Sequence, residues 1–217
     1  EMRAARQGLS GDLRIGVIPT ALPMVADLTA AFADRHPNVR VAILSRTSIE
    51  ILREIDTAHL DAGITYLANE PLGRVVTVPL YREAYRLLVH AGHPLAGRAQ
   101  VTWAEVGRLR LCLLTPDMQN RRIVNQMMTA EGATPAAMVE SNSVIATVAH
   151  VRTGRWASVV PVKTARMFAA DPALRSVAIA RGGDHAVGLV APWRSPHTPV
   201  TEALLTEARR LAEVEDA

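Results

Sequence analysis

Four short stretches of this sequence gather small hydroxyl and amide side chains. They are Pro19-Thr20-Ala21, Arg46-Thr47-Ser48, Thr115-Pro116-Asp117 and Ser141-Asn142-Ser143. Together with the free backbone N–H groups of a helix start, such side chains can hold a small anion or polar molecule. That is binding chemistry; it breaks no bond. Each of Thr20, Thr47, Thr115 and Ser143 also suits a plain helix N-cap. Reaction machinery is not evident: there is no Ser-His-Asp signal, no motif of paired carboxylates and no GxxxxGK[ST] phosphate loop. Asp117 with His150 is a conceivable pair that no spacing supports. The single cysteine, Cys112, excludes an internal disulfide and a multi-cysteine zinc site. It lies in Leu111-Cys112-Leu113-Leu114, an apolar run expected to bury an inert thiol. The seven His include no HExxH pair, so neither a metal nor a cofactor is expected.

The flanking patterns say what must position these stretches. Residues 13–18 alternate and then turn apolar, which predicts a strand. Pro23 suits the first turn of the helix that follows. Val25, Leu28 and Phe32 share one face of it, and His36-Pro37-Asn38 ends it. Residues 39–44 predict a second strand. Thr47 and Glu50 then have capping-box spacing, with Ile51, Leu52 and Ile55 as the buried helix face. Residues 60–65 read as a third strand, 75–80 and 85–89 as two more, and Gly92-His93-Pro94-Leu95 as a turn. A strand over 109–114 precedes a helix over 121–130 that buries Ile123, Val124, Met127 and Met128 and ends at Gly132. Residues 138–140 are strand-like, and Ser141-Asn142-Ser143 caps a helix carrying Val144, Val148 and Val151. Gly154 is the expected left-handed end of that helix. A strand over 157–160 closes at Pro161. A strand over 186–190 and a helix carrying Leu204, Ala208 and Leu211 complete the chain. The β-α-β-α-β order thus occurs twice, over 13–65 and 109–160, with connections too long for hairpins. That predicts parallel, helix-covered sheets, whose ligands meet the carboxyl ends of the strands. All four hydroxyl-rich stretches stand there.

Composition sets the outer bounds. The 217 residues are 49% hydrophobic and 21% charged, which fits a folded chain of one large or two small domains. No run approaches ~18 apolar residues, so no membrane span is expected, and no apolar leader is visible at the start. The net charge is only +3. The basic residues, all Arg except Lys163, are scattered, so no nucleic-acid footprint is evident.

The order of motifs resembles the effector-binding domain of LysR-type bacterial transcriptional regulators. The resemblance rests on Gly11-Asp12-Leu13-Arg14-Ile15-Gly16, Phe32 with His36-Pro37-Asn38-Val39, and Leu60-Asp61-Ala62-Gly63-Ile64. Val78-Pro79-Leu80 and Gly92-His93-Pro94-Leu95 follow, then Glu140-Ser141, Thr153-Gly154 and Val159-Val160-Pro161. It covers about residues 10–210 in matching order and spacing. It implies an α/β fold of two Rossmann-like lobes with a cleft, like type 2 periplasmic binding proteins. The first lobe would be 12–80 plus 184–217 and the second 81–183, after a linker remnant over 1–11. The effector would be contacted by Thr20 and Ala21, by Thr47 and Ser48, by Thr65 and Tyr66, and by Thr115, Pro116, Met118, Asn142 and Ser143. The family's winged helix-turn-helix is not in this sequence, so DNA would be bound by a part in front of it. The resemblance further implies a homodimer or homotetramer with antiparallel effector domains, RNA polymerase as a further partner, and no membrane partner. Two positions depart from the family pattern. Trp156 stands where a second glycine follows Gly154, and Arg46 where a glycine often precedes the hydroxyl of the second turn.

Arg46 either neutralises an effector carboxylate or is a solvated loop arginine; Tyr66 either lines the cleft or packs beside it. Arg121 and Arg122 are expected on an exposed helix face, His93 in a structural turn, His150 as a packed or surface histidine, and Trp156 in core or interface. The expected function is a non-enzymatic, cytoplasmic sensor for a small metabolite, such as a carboxylate or other anion, that shifts an oligomer's conformation to control transcription. The alternatives are an exported solute-binding protein and an enzyme on the same fold.

Overall fold

The computed structural model describes residues 8–215. Residues 1–7 of the expected linker remnant lie outside them, and Ser10 and Gly11 already belong to the first strand. In chain order the molecule begins with β1 (Ser10–Val17), α1 (Leu22–Arg35), β2 (Asn38–Ser45), α2 (Ser48–Asp56), β3 (Ala62–Tyr66) and β4 (Val75–Glu83). Next come β5 (Tyr85–His90), β6 (Gln100–Val101), α3 (Trp103–Val106), β7 (Leu111–Leu114) and α4 (Gln119–Ala130). They are followed by β8 (Ala137–Ser141), α5 (Val144–Arg152), β9 (Ser158–Pro161), α6 (Val162–Met167) and β10 (Leu174–Ile179). The chain ends with β11 (His185–Pro192) and α7 (Pro199–Glu215). It divides into two compact units: residues up to Arg82 together with those from Ala186, and Glu83–His185.

The first unit is built on a five-stranded sheet of order β2-β1-β3-β11-β4. β1 runs parallel to β2, with Ser10 opposite Asn38 and Val17 opposite Ser45, and parallel to β3, with Val17 opposite Ile64. β11 enters antiparallel to β3. Helical spacing buries Val25, Leu28 and Phe32 on α1 and Ile51 and Ile55 on α2. Each side chain so removed from water contributes roughly 1.5–3 kcal/mol before ordering costs. α2 lies close enough to the sheet that a methyl group on Gly63 would collide with Ile51 Cγ2. The start of β3 is tied back to β1 by Asp61, whose Oδ2 accepts from the Arg14 backbone N–H at 2.7 Å and from its Nε at 3.2 Å.

The second unit has a four-stranded sheet of order β6-β10-β5-β9 and a two-stranded sheet of β7 and β8. A parallel bridge from Leu111 to Ala157 links β7 to the segment entering β9. β7 and β8 are parallel, as the β-α-β pattern requires, while β5 is antiparallel to both β9 and β10. α5 and α6 cover this sheet with a core of Leu88, Val148, Val151, Val160, Ala165 and Leu174. Gly154 takes φ +76° just past α5, the left-handed end expected there. Beyond it Trp156 is half-buried, with the Arg110 guanidinium 4.7 Å over its ring. Between residues 162 and 185 the sequence pattern marks no element, yet α6 and β10 lie there.

Candidate functional site

In the first unit the carboxyl ends of β1, β2 and β3 lie side by side and carry three of the segments singled out from sequence. After β1 the chain makes a 3-10 turn over Pro19–Ala21 before α1 begins. That turn moves the N-cap position to Ala21, and no side chain caps α1. Thr20 therefore does not act as the cap its type suggests. It is 2% exposed, and its Oγ1 has no hydrogen-bond partner within the protein.

The second segment behaves as the spacing predicts. Thr47 Oγ1 accepts from the Glu50 N–H at 3.2 Å, and Glu50 Oε2 accepts from the Thr47 N–H at 2.8 Å. This capping box satisfies two donors at the start of α2. Ser48, the next residue, accepts at Oγ from Thr65 Oγ1 at 3.0 Å, which ties the start of α2 to the end of β3. Both hydroxyls are buried, and the bond leaves the Ser48 proton to donate elsewhere. Tyr66 is 1% exposed and belongs to the core of its unit. Arg46 is neither a bare effector charge nor a solvated side chain. Its Nε donates to both oxygens of Glu54, at 3.0 and 3.1 Å, and its Nη1 to the Ser45 carbonyl at 2.9 Å.

In the second unit β7 and β8 end together, and the Thr115 N–H donates to the Ser141 carbonyl at 3.1 Å. Ser143 caps α5, accepting at Oγ from the Ala146 N–H at 3.3 Å. Asn142 beside it is exposed. Thr115 does not cap α4: the N-cap is Met118, and no side chain caps the helix. The Thr115 Oγ1 is buried and, like that of Thr20, has no partner within the protein. Pro116 is exposed and Met118 buried.

Two residues read as a solvated helix face turn out to hold this turn in place. Arg121 is 6% exposed, and its Nη1 donates to the Leu114 carbonyl at 2.7 Å and to Glu140 Oε1 at 2.8 Å. Its Nε donates to Asn125 Oδ1 at 2.9 Å. Arg122 Nη1 donates to the carbonyls of Pro116 at 3.1 Å and Asp117 at 2.7 Å. One signal was available: arginines in the first turn of a helix oppose its macrodipole and need a reason to be there.

Other features offer no competing chemistry. His150 Nδ1 lies 2.7 Å from the Ala146 carbonyl of its own helix. Burial holds the His93 imidazole below its usual pKa, and its Nδ1 accepts from the Leu95 N–H. The Cys112 thiol is buried and pushed up to about 11, which removes it as a nucleophile near neutrality. Among the described residues no group of three His, Cys, Asp or Glu could hold a metal ion. None of their helices is long and apolar enough to cross a membrane. A cavity of about 450 Å³ in the second unit lies beside Phe168, Asp171, Arg175 and Ser176. Its polar side chains are already engaged: Asp171 with Arg152, Ser176 with Arg86, and Arg175 with the Leu174 carbonyl.

The LysR substrate binding domain model matches residues 6–213. This chain belongs to that family. Similar curated proteins are a probable hydrogen peroxide-inducible genes activator of Mycobacterium avium and the HTH-type transcriptional regulator SsuR of Burkholderia cenocepacia. The first is 33% identical over 107 residues, 49% of this chain and 34% of the relative. The second is 28% identical over 165 residues, 73% of this chain and 53% of the relative. The chain thus spans a third to a half of the length of these relatives. Among solved structures, the Synechocystis CcmR regulatory domain in complex with 2-PG superposes with a TM-score of 0.84 at 17% identity, covering 94% of this chain and 98% of that one. The effector binding domain of QuiR in complex with shikimate gives 0.82 at 18% identity, covering 95% and 99%. These likenesses establish the fold: mixed α/β, of the type 2 periplasmic-binding-protein kind.

Proposed function

We propose that this domain senses a small anionic metabolite at the strand-to-helix turns of its two units. The observation that carries this reading is the placing of two orphaned hydroxyls, Thr20 Oγ1 and Thr115 Oγ1, at strand-to-helix turns, one in each unit; a third, Thr164 Oγ1, lies on α6, away from these turns. A buried polar group left unpaired costs roughly 1–3 kcal/mol, and buried groups in folded proteins are overwhelmingly paired. Two exceptions at equivalent turns are what a domain built to hydrogen-bond a ligand would carry. Ser48, with a proton to donate, and Thr65 complete the first set; Met118, Asn142 and Ser143 flank the second, with Ala21, Tyr66 and Pro116 shaping the turns. Thr47 takes part through the helix start it caps, and Arg46 through the positive side of its Glu54 pair. Solved relatives of this fold hold shikimate and 2-PG, which is in keeping with a small polar ligand.

The domain would catalyse nothing. Its effector would favour one arrangement of a homodimer or homotetramer, and a preference of ~100-fold supplies about 2.7 kcal/mol of bias. That bias would reach DNA through a domain outside this chain, with RNA polymerase as a further partner, in the cytoplasm. The test is a thermal-shift screen of small carboxylates, phosphate esters, neutral polyols and amines, followed by calorimetry. Anions should raise the melting temperature, and Thr20→Val and Thr115→Val should each weaken the best of them by about tenfold. A screen in which only neutral or cationic compounds bind overturns the anion assignment. Steady product formation from the bound compound overturns the sensor reading.

A further inference from the structure

The turn between β7 and α4 has an unusual hydrogen-bond balance. The Leu114 carbonyl accepts from Arg121 Nη1, and the carbonyls of Pro116 and Asp117 accept from Arg122 Nη1. The Thr115 carbonyl accepts from the Met118 N–H at 3.0 Å, and the Met118 carbonyl from the Arg122 N–H at 3.3 Å. Every backbone carbonyl from Leu114 to Met118 therefore already accepts a hydrogen bond from within the protein. The orphaned Thr115 Oγ1 stands in the same segment. In a strand-to-helix turn left to itself, carbonyls such as those of Pro116 and Asp117 would face solvent or ligand and could accept from an amine or hydroxyl. Here Arg122 of the following helix reaches back and takes both, and Arg121 takes the Leu114 carbonyl before them.

We propose that Arg121 and Arg122 are positioning residues that set the ligand preference of this turn, an inference that rests on the effector reading above. By occupying the carbonyls and fixing the path of the turn, they withhold backbone acceptors from the effector and bring two positive charges to the segment. Arg121 is balanced by Glu140. The resulting turn favours acceptor-rich anions and disfavours amines. This is specificity by competition: a ligand bringing donors meets carbonyls already engaged and held beside positive charge, so its desolvated donors pair poorly. Asp117 carries the turn's one carboxylate and is exposed, so it serves as the control.

The experiment compares the whole domain with Arg122→Met, Arg122→Lys and Asp117→Asn. Arg122 is chosen because it is less buried than Arg121, so its loss should leave the fold intact. Two readouts are taken: hydrogen exchange of the Met118 amide without ligand, and dissociation constants for inorganic phosphate, malate, shikimate, glycerol and putrescine. Arg122→Met should speed Met118 exchange several-fold at an unchanged melting temperature. It should weaken the tightest anionic probe about tenfold and leave glycerol and putrescine equal or tighter. Arg122→Lys should restore most of both effects, and Asp117→Asn should preserve the anion preference. Unchanged Met118 exchange in Arg122→Met overturns the clamp, whatever binds. Faster exchange with unchanged anion affinity overturns its role in specificity and leaves the effector reading standing. An Asp117→Asn shift as large as that of Arg122→Met assigns the preference to the carboxylate instead. If no anionic probe binds the wild-type domain, the effector reading and the preference built on it both fail.

Discussion

The two units solve one problem with different means. In the first, side-chain hydroxyls organise the site: Thr47 closes a capping box with Glu50, and Ser48 is bonded to Thr65. In the second, charged side chains do that work at the β7–α4 turn: Arg121 and Arg122 hold it by its carbonyls, while Ser143 caps the neighbouring helix α5. Each unit nevertheless leaves a threonine hydroxyl at such a turn buried and unpaired, Thr20 in the first and Thr115 in the second. Where the scaffolding differs and the orphaned group persists, the orphan is better explained by a ligand than by local packing.

The largest effect that would break this comparison is at Arg121. Arg121→Ala leaves the Leu114 carbonyl without its arginine donor and breaks the pair with Glu140, and should cost about 2–3 kcal/mol, lowering the melting temperature by about 4–12 °C. If calorimetry shows no loss, the second unit is not held by its arginines. Next come the orphans. Thr20→Val and Thr115→Val should leave the ligand-free domain as stable as before or up to about 1 kcal/mol more stable, since each removes an unpaired hydroxyl. A drop in melting temperature at either site would mean the hydroxyl has a structural partner.

A smaller effect separates the two caps. Thr47→Ala should cost about 1 kcal/mol, a melting shift of roughly 2–4 °C. Ser143→Ala should cost less, because its single bond of 3.3 Å belongs to no reciprocal box. The smallest effects are in pH and probe groups away from the turns. The Cys112 thiol ionises near 9.0 when unfolded and at about 11 when folded. Its contribution is complete below pH 9 and is lost as pH rises from 9 to 11; Cys112→Ala should flatten that decline. Burial lowers the His93 value, so its contribution is complete above the unfolded value of 6.5 and fades as pH falls below it. Denaturation at stepped pH, with His93→Gln as comparison, measures that slope.

What could be read from the sequence follows the range of the interactions. The Thr47–Glu50 box, the Ser143 cap, the buried faces of α1 and α2 and the left-handed Gly154 are set by contacts within a few residues, and spacing reveals them. Thr20 and Thr115 looked like caps because residue type is all that spacing sees. A 3-10 turn of three residues after β1, and a three-residue step before Met118, moved both out of cap position. Arg121 was misread for a similar reason. Helix periodicity placed it on an outer face, but Glu140 lies 19 residues away, on a strand that periodicity does not pair with it. The elements between residues 162 and 185 were missed because α6 is short and β10 has exposed positions at Arg175 and Ser176.

The register of β11 has a consequence for how the chain is made. Val187 to Val190 pair with Tyr66 to Gly63, inside the first sheet rather than at its edge. That sheet stays open until residues 187–190 leave the ribosome, whereas the second unit is one continuous segment whose strands and helices are all available earlier. Domains generally fold as units during synthesis, so the second unit can close while the first still waits, its β3 edge unpaired. The nascent chain is then most exposed to aggregation along that edge, and a truncation before β11 would leave it permanently so.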